Sequence, residues 1–151
     1  MIINSKDYLK YSIILFLLIS IIIWNKKPKL ILPHKMYGFP YFDNKGIYGV
    51  STRDNYIISG HDYSYKELEE LQCFLSTKFA LFIFSCCNYR MRFLERYSFE
   101  FLPCITKIPD FPILKNNTRY ERDNLIKKFF NLSEKESLYI ENQFKNYNFF
   151  I

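Results

Sequence analysis

The stretch from Cys73 to Pro112 decides the fold and reads CFLSTKFALFIFSCCNYRMRFLERYSFEFLPCITKIPDFP. Its first half continues an apolar pattern that recurs at steps of three and four residues, at Leu68, Leu71, Leu75, Phe79, Phe82 and Cys86. This spacing places these side chains on one face of a helix. Beyond Lys78 the residues are apolar on every side, which is typical of a helix buried all round. The stretch therefore predicts a long buried helix from about Tyr65 to Asn88.

Residues on both sides of this helix set its limits. Ser64 and Glu67 form a capping box, in which each side chain accepts a hydrogen bond from a free backbone N–H of the other residue. An arginine-rich turn follows Asn88. From Tyr97 to Pro103 aromatic residues alternate with others, which predicts a partly exposed strand that returns along the helix. The next segment is predicted to be an extended loop, because it contains Pro103, Pro109 and Pro112.

The flanking segments complete a predicted α+β fold. Short apolar runs separated by turn residues predict a small antiparallel sheet between about Leu30 and Ser59, with runs at Lys29 to Leu32, Ile47 to Thr52 and Tyr56 to Ser59. Two C-terminal helices are predicted, one from Tyr120 to Asn131 and one that starts at a capping box formed by Ser133 and Glu136. We expect the small sheet to pack on the long buried helix.

Composition is typical of one globular domain with a core of its own. The chain has 151 residues, of which 49% are hydrophobic and 24% are charged. Phe, Tyr, Ile, Lys and Asn make up about half of it. Their codons are rich in A and T, so an AT-rich genome accounts for the many aromatic residues. The net charge of +6 is compatible with nucleic acid or with an anionic membrane surface.

The cysteines and histidines predict neither a disulfide framework nor a metal site. The four cysteines contain no CxxC pair, and no histidine stands at zinc-ligand spacing. Most of these cysteines lie in apolar surroundings, so we expect buried free thiols and a reducing compartment. We expect no cofactor.

Residues 1–27 form a hydrophobic N-terminal segment, followed by a domain over residues 28–151. Tyr11 to Trp24 carries no charge, and residues 8–24 are a candidate transmembrane helix of minimal length. A buried helix or strand is the alternative. Positive-inside logic predicts a single pass with a cytosolic C-terminal domain, because the run is followed by Lys26, Lys27, Lys29 and Lys35.

A family resemblance rests on four segments. They are FLSTKF at Phe74 to Phe79, YSFEFLP at Tyr97 to Pro103, IPDF at Ile108 to Phe111, and the closing Phe129 to Glu141. Together they resemble the C-terminal, target-recognition-like region of N6-adenine DNA methyltransferases of restriction–modification type, as found in bacteria and large DNA viruses. The resemblance extends over about Pro28 to Phe150.

The catalytic motifs of that family are missing from this sequence. Those enzymes use a Gly-rich loop for S-adenosylmethionine and an Asn/Asp/Ser-Pro-Pro-Tyr/Phe loop for the flipped adenine. No Pro-Pro pair occurs here, and the four glycines form no such loop. The resemblance thus implies a protein that is not an enzyme and that binds duplex DNA or a separate methyltransferase catalytic subunit. The alternative is a single-pass membrane protein with a cytosolic interaction domain and no DNA role.

If DNA is bound, the expected contact residues lie around the arginine-rich turn. Arginine forks suit phosphate oxygens and guanine edges, and tyrosine can stack on a base. We expect these residues at one end of the long helix. The alternative is a solvated charged turn with Glu95 and Glu100 as ion-pair partners. The candidate DNA-binding residues are Lys78, Tyr89, Arg90, Arg92 and Arg96.

Overall fold

The computed structural model describes residues 26–34, 40–50, 54–60, 62–87 and 94–144. Within them the chain is α+β, with a three-stranded antiparallel sheet, four α-helices and two short 3₁₀ helices. The elements in chain order are β1 Lys29–Pro33, β2 Tyr41–Asp43, β3 Asn55–Ser59, α1 Tyr65–Leu75, α2 Lys78–Cys86, η1 Arg96–Phe101, η2 Ile105–Lys107, α3 Arg119–Phe129 and α4 Glu134–Gln143. The predicted α+β class is confirmed.

The sheet has β1 at its centre, with β2 on one side and β3 on the other. Leu30 lies opposite Phe42 of β2 and Ile58 of β3. Successive side chains of a strand point to opposite faces, so one face carries Leu30 and Leu32. Both leucines are buried in the main core with residues of α1. The expected packing of the small sheet on the helix is therefore found.

The strand predicted from Ile47 to Thr52 is wrong over residues 47–50, and the rest of it lies outside the described residues. The Asp43 carboxylate accepts hydrogen bonds from the N–H groups of Ile47 and Tyr48, each at 2.9 Å. Because these two N–H groups donate to a side chain, they do not bond to a neighbouring strand. The second strand forms earlier in the chain, at β2.

The long helix predicted from Tyr65 to Asn88 is interrupted at Ser76 and Thr77. The first part, α1, begins with the predicted capping box of Ser64 and Glu67. Thr77 then caps α2, because its hydroxyl oxygen accepts from the N–H of Ala80 while donating to the carbonyl of Phe74. A threonine hydroxyl with this geometry starts a new helix. The predicted burial is largely confirmed, since most side chains of α2 are buried or half-buried.

The strand predicted from Tyr97 to Pro103 is wrong, because η1 occupies residues 96–101. Alternation would have put aromatic side chains on the buried face. Instead Ser98 is fully buried, whereas Tyr97 and Phe101 are 40% and 62% exposed. Phe99 packs edge-on against Tyr56 and Phe84. The tight turns of a 3₁₀ helix satisfy this burial pattern without a partner strand.

The two C-terminal helices are confirmed, and both begin with capping boxes. Thr118 with Glu121 starts α3, and Ser133 with Glu136 starts α4. Hydrogen bonds from each cap residue lower the pKa of the Glu121 and Glu136 carboxyls. The turn predicted at Asn116 is also present, with a φ of 69° at that residue.

The candidate transmembrane helix at residues 8–24 lies outside the described residues. Among the residues that are described, no helix is both long enough and apolar enough to cross a membrane. The cysteine prediction is only partly right. All four thiols are free, but Cys73 alone is buried, while Cys86 and Cys104 are exposed.

Candidate functional site

A groove of about 730 Å³ lies beside β3. We call it the β3 groove. One wall is β3 itself, and the other is formed by residues of η1 and the segment that follows it, including Phe99, Leu102 and Pro103. Leu71, Phe74 and Leu75 of α1 contribute apolar surface to it. The groove is thus mainly apolar and spans the length of a strand.

All five consecutive residues of β3 line the groove, from Asn55 to Ser59. Neighbouring side chains of a strand point to opposite faces of the sheet. A concavity that touches every residue must therefore run along the edge of the strand. This agrees with the strand order, because β3 is the outer strand on its side of the described sheet.

The hydrogen-bond pattern shows which peptide groups of β3 face the groove. Gly60 donates to the Pro28 carbonyl and His34 donates to the Asp54 carbonyl, so these opposed pairs are hydrogen-bonded. Hydrogen-bonded and non-bonded pairs alternate in an antiparallel ladder. The Ile31–Ile57 pair is consequently non-bonded. The N–H and C=O of Ile57 point away from β1, and no described residue bonds to them.

The far wall of the groove contacts β3 through Tyr56. Near one end, the Tyr56 hydroxyl donates to the Leu94 carbonyl at 3.0 Å, and its ring lies 5.4 Å from that of Phe99. Near the other end, Tyr63 and Cys104 both line the groove. Burial and the nearby Cys104 raise the pKa of Tyr63. The Tyr56 contacts therefore join the two walls near the start of β3.

A buried ion pair supports the sheet from its other edge. Lys29 is fully buried and its ammonium lies 2.7 Å from the carboxylate of Asp43, itself 2% exposed. Burial opposes ionisation of Asp43, but bonds from Lys29 and from the N–H groups of Tyr48 and Ile47 outweigh it and lower its pKa. Lys29, one of the four lysines that follow the uncharged run in the sequence, thus has its charge paired inside the described fold.

The candidate DNA-binding residues do not form one described cluster. Lys78 is the first residue of α2, whereas the arginine-rich turn follows its last residue, Cys86. A helix of nine residues separates these two ends by about 13 Å. The expectation that they share one end of the helix is wrong for Lys78 and Arg96, which line different cavities. Arg96 begins η1 and lines the β3 groove, while Tyr89, Arg90 and Arg92 lie outside the described residues.

Lys78 instead belongs to a small cleft of about 100 Å³ between α2, α3 and α4. Its backbone N–H donates to the Asp123 carboxylate at 2.9 Å. Burial raises the pKa of Asp123, although the bond from Lys78 acts in the opposite direction. A carboxylate at a helix N-terminus is favourable, so this contact joins α3 to the start of α2.

The positive charge of the chain is unevenly distributed. In the described residues, the Lys and Arg side chains are equal in number to the Asp and Glu side chains. The net positive charge therefore comes from the other parts of the sequence, where Asp7 is the one acidic residue. The basic residues there are Lys6, Lys10, Lys35, Arg53, Arg90, Arg92 and Lys145. The described surface is therefore not a basic one. It also contains no group of His, Cys, Asp or Glu side chains suited to a metal ion.

Comparisons with known proteins give no relative for this chain. No protein-family model matches it, and neither a curated protein nor a solved structure is significantly similar. The assignment of a site therefore depends on geometry, and the β3 groove has a larger volume than the cleft at Lys78, about 730 Å³ against about 100 Å³.

Proposed function

We propose that this protein is a non-catalytic binding module that takes an extended peptide segment into the β3 groove and adds it to the sheet as a strand. The observation that supports this proposal is the outward-facing peptide group of Ile57, at the edge of β3 and beside an apolar groove. Strand addition of this kind derives affinity from main-chain hydrogen bonds and specificity from pockets for alternate side chains.

The chemistry of the groove defines the ligand. An extended peptide places every second side chain on the same side. One set of ligand side chains would lie against Leu71, Phe74 and Phe99, so the side chains of that set should be apolar. The other set of ligand side chains would face solvent. A suitable probe is therefore a peptide of alternating valine and threonine, about six residues long to match the strand.

Fluorescence anisotropy of this labelled peptide with the full chain tests the proposal. Ile57→Pro removes the outward N–H while leaving the bonds of the flanking residues to β1, and proline is tolerated at such edge positions. Loss of this bond and the bulk of the ring should weaken binding about tenfold. Ile57→Val, which keeps the N–H, is the matched control and should bind like the parent.

A second arm leaves the protein unchanged. N-methylation of the peptide amides that face β3 should abolish binding, whereas methylation of the alternate amides should have little effect. Equal binding of the two methylated peptides, or no binding of the unmodified peptide at about 1 mM, would contradict strand addition.

DNA recognition is a second proposal, supported by the resemblance and by the charge distribution. The surplus positive charge includes Arg90 and Arg92, next to Arg96 in the sequence. If this segment contacts duplex DNA, affinity should fall steeply with salt. Arg90→Ala with Arg92→Ala should weaken binding and reduce the salt slope by about two. Lys128→Ala with Lys135→Ala removes the same charge from exposed positions and serves as control. Equal binding by both double variants would refute this surface.

Membrane anchoring by residues 8–24 is a further proposal, supported by the uncharged run in the sequence. The full chain should then stay with membranes after alkaline carbonate extraction. Leu17→Arg with Ile21→Arg should release it, because charges near the bilayer centre are costly. Complete extraction of the parent chain would contradict the proposal. Association with a separate methyltransferase catalytic subunit follows from the resemblance alone.

A further inference from the structure

We infer that the described fold carries a contact surface for an anionic membrane, formed around β2 by three exposed apolar side chains and three lysines. The apolar side chains are those of Tyr41, Ile47 and Tyr48, and we call them the β2 patch. The inference rests on the proposed membrane anchoring by residues 8–24, which would bring this surface to the bilayer. Its ligand is the headgroup region of a bilayer that contains anionic lipid.

The β2 patch includes the face of the sheet that is turned away from α1. Phe42 packs against the core together with Leu30, so its neighbour Tyr41 points to the other face. The ring of Tyr48 meets that of Tyr41 edge-on, with the two centroids 5.6 Å apart. Every side chain of the patch is more than half exposed. Tyrosine is favoured at a membrane–water interface, because its ring is apolar while its hydroxyl stays in contact with water.

The segment before β1 is held beside this patch. The N–H of Lys26 donates to the Gly46 carbonyl at 2.7 Å. Gly46 has a φ of 65°, and a Cβ there would clash with backbone atoms of Lys26 and Lys27, so this close approach requires glycine. Lys26, Lys27 and Lys45 are all exposed. Three positive charges therefore lie around the residue that precedes Ile47.

Acidic side chains on β2 and on the helix beside it are already paired. Asp43 is buried against Lys29. Helix α1 packs beside β2, and its Glu69 is bonded to Lys115. Neither carboxylate therefore cancels the charge of the exposed lysines next to the patch.

Two further acidic side chains lie on the other side of the sheet. Asp62 and Glu67 are both close to Tyr63, which lines the β3 groove. Strand β1 separates β3 from β2, so the two outer strands are about 10 Å apart. The described charges balance overall, but the surface at the β2 patch is cationic and complements anionic headgroups.

The sequence connects the same lysines to the proposed anchor. The uncharged run ends at Trp24, two residues before Lys26, and two residues span at most about 7 Å. If residues 8–24 enter the bilayer, Lys26 lies at the level of the headgroups, and so does the Gly46 loop that is bonded to it. Lysine at this level is attracted to anionic lipid within about a Debye length.

Quenching of an introduced tryptophan by brominated lipid tests the inference in the full chain. Trp24 is the one tryptophan of the sequence. Trp24→Phe removes it, and Tyr48→Trp then places an indole in the β2 patch. The vesicles contain phosphatidylcholine, alone or with about 30% phosphatidylserine. We expect quenching and a blue shift of the emission with the anionic vesicles, and much less of both with the neutral vesicles.

Tyr139→Trp in the same Trp24→Phe chain is the matched control. Tyr139 is also more than half exposed, but it lies on α4 against Phe82 of α2. Its indole should remain unquenched with both kinds of vesicle. Equal quenching at the two positions would overturn the inference.

Substitution of two lysines tests the electrostatic part. In the Tyr48→Trp chain, Lys26→Gln with Lys45→Gln should reduce the equilibrium constant for contact with anionic vesicles about tenfold. Salt at about 500 mM should also reduce quenching, because it screens exposed charges. Lys128→Gln with Lys135→Gln removes the same charge from exposed positions and should leave quenching unchanged. Equal quenching in the two double variants would contradict the role of the lysines.

Three further outcomes separate this inference from the proposed anchoring. Blue-shifted emission of the Tyr48→Trp chain without vesicles would show that the chain itself or a second copy covers the patch, which would overturn the inference. Complete carbonate extraction of the parent chain would contradict anchoring, whereas quenching of the patch indole would still support the contact surface. A patch indole that stays unquenched in a chain that resists extraction would overturn the contact surface alone.

Discussion

The sheet and the C-terminal helix pair are stabilised by different kinds of interaction. The sheet depends on partners distant in sequence, above all the buried pair of Lys29 and Asp43. Helices α3 and α4 each begin with a capping box confined to four residues and exposed to solvent. Stability is therefore concentrated in one buried pair at the sheet and spread over small exposed contacts in the helices. Single substitutions should reveal this difference.

The largest effect is expected for Asp43→Ala. This change leaves the Lys29 ammonium buried without its carboxylate and frees the N–H groups of Ile47 and Tyr48. Breaking one side of a buried ion pair destabilises a protein by about 3–5 kcal/mol. Urea unfolding should show this loss. Lys29→Met with Asp43→Leu is the control, and should recover much of the stability because no lone charge remains.

The same pair should make the sheet sensitive to acid. The pKa of Asp43 is lowered in the folded state, so its contribution is complete above the ordinary aspartate pKa and is lost as pH falls through the folded value. The stability difference between the parent and Asp43→Ala should therefore narrow on acidification. A difference that stays constant from pH 7 to pH 2 would exclude this role of the carboxylate.

Substitution of Asp123 is expected to have an intermediate effect on stability. Its carboxylate caps the start of α2, as in the helix pair, but it comes from a residue distant in sequence, as in the sheet. Asp123→Ala removes the acceptor for the Lys78 N–H and should cost about 1–2 kcal/mol. Asp123→Asn keeps an oxygen acceptor without a buried charge. The raised pKa of Asp123 means that its ionisation opposes folding as pH rises through the folded value. At pH 7, Asp123→Asn should thus unfold at no lower urea concentration than the parent.

The smallest effects are expected at the caps of α3 and α4. Thr118→Ala and Ser133→Ala should each lower the free energy of unfolding by about 1 kcal/mol. Their effects should add, because each cap bonds only within its own helix start. Chemical denaturation of both single variants and the double variant measures this. A loss at either cap as large as that of Asp43→Ala would remove the contrast between the two regions.

The contrast also explains which features could be predicted from the sequence. Capping boxes are local patterns, so the starts of α1 and α4 were predictable. The start of α3 carries the same local signal, in Thr118 and Glu121. The absence of a strand at residues 47–50 was not predictable from alternation. It depends on Asp43, which is bonded to the distant Lys29 and accepts from the N–H groups of Ile47 and Tyr48.

The β3 groove was hidden from sequence analysis for a similar reason. Its existence depends on β3 pairing with β1 alone in the described sheet, and on η1 forming where an alternating strand was predicted. Of the candidate DNA-binding residues, Arg96 lines the groove and Lys78 lies in a different cleft. Pairing order and long-range contacts decide these positions, and neither has a local signal.

Amide hydrogen exchange at Ile57 and Ile58 tests strand addition most directly. The N–H of Ile58 faces β1, whereas that of Ile57 faces the groove. With a saturating concentration of the uncharged valine–threonine peptide, hydrogen exchange at Ile57 should slow by at least about tenfold. Its N–H then donates a hydrogen bond that stabilises the protected state by about 1.4 kcal/mol or more. Exchange at Ile58 should change much less. Unchanged exchange at Ile57 with peptide bound would contradict strand addition at β3.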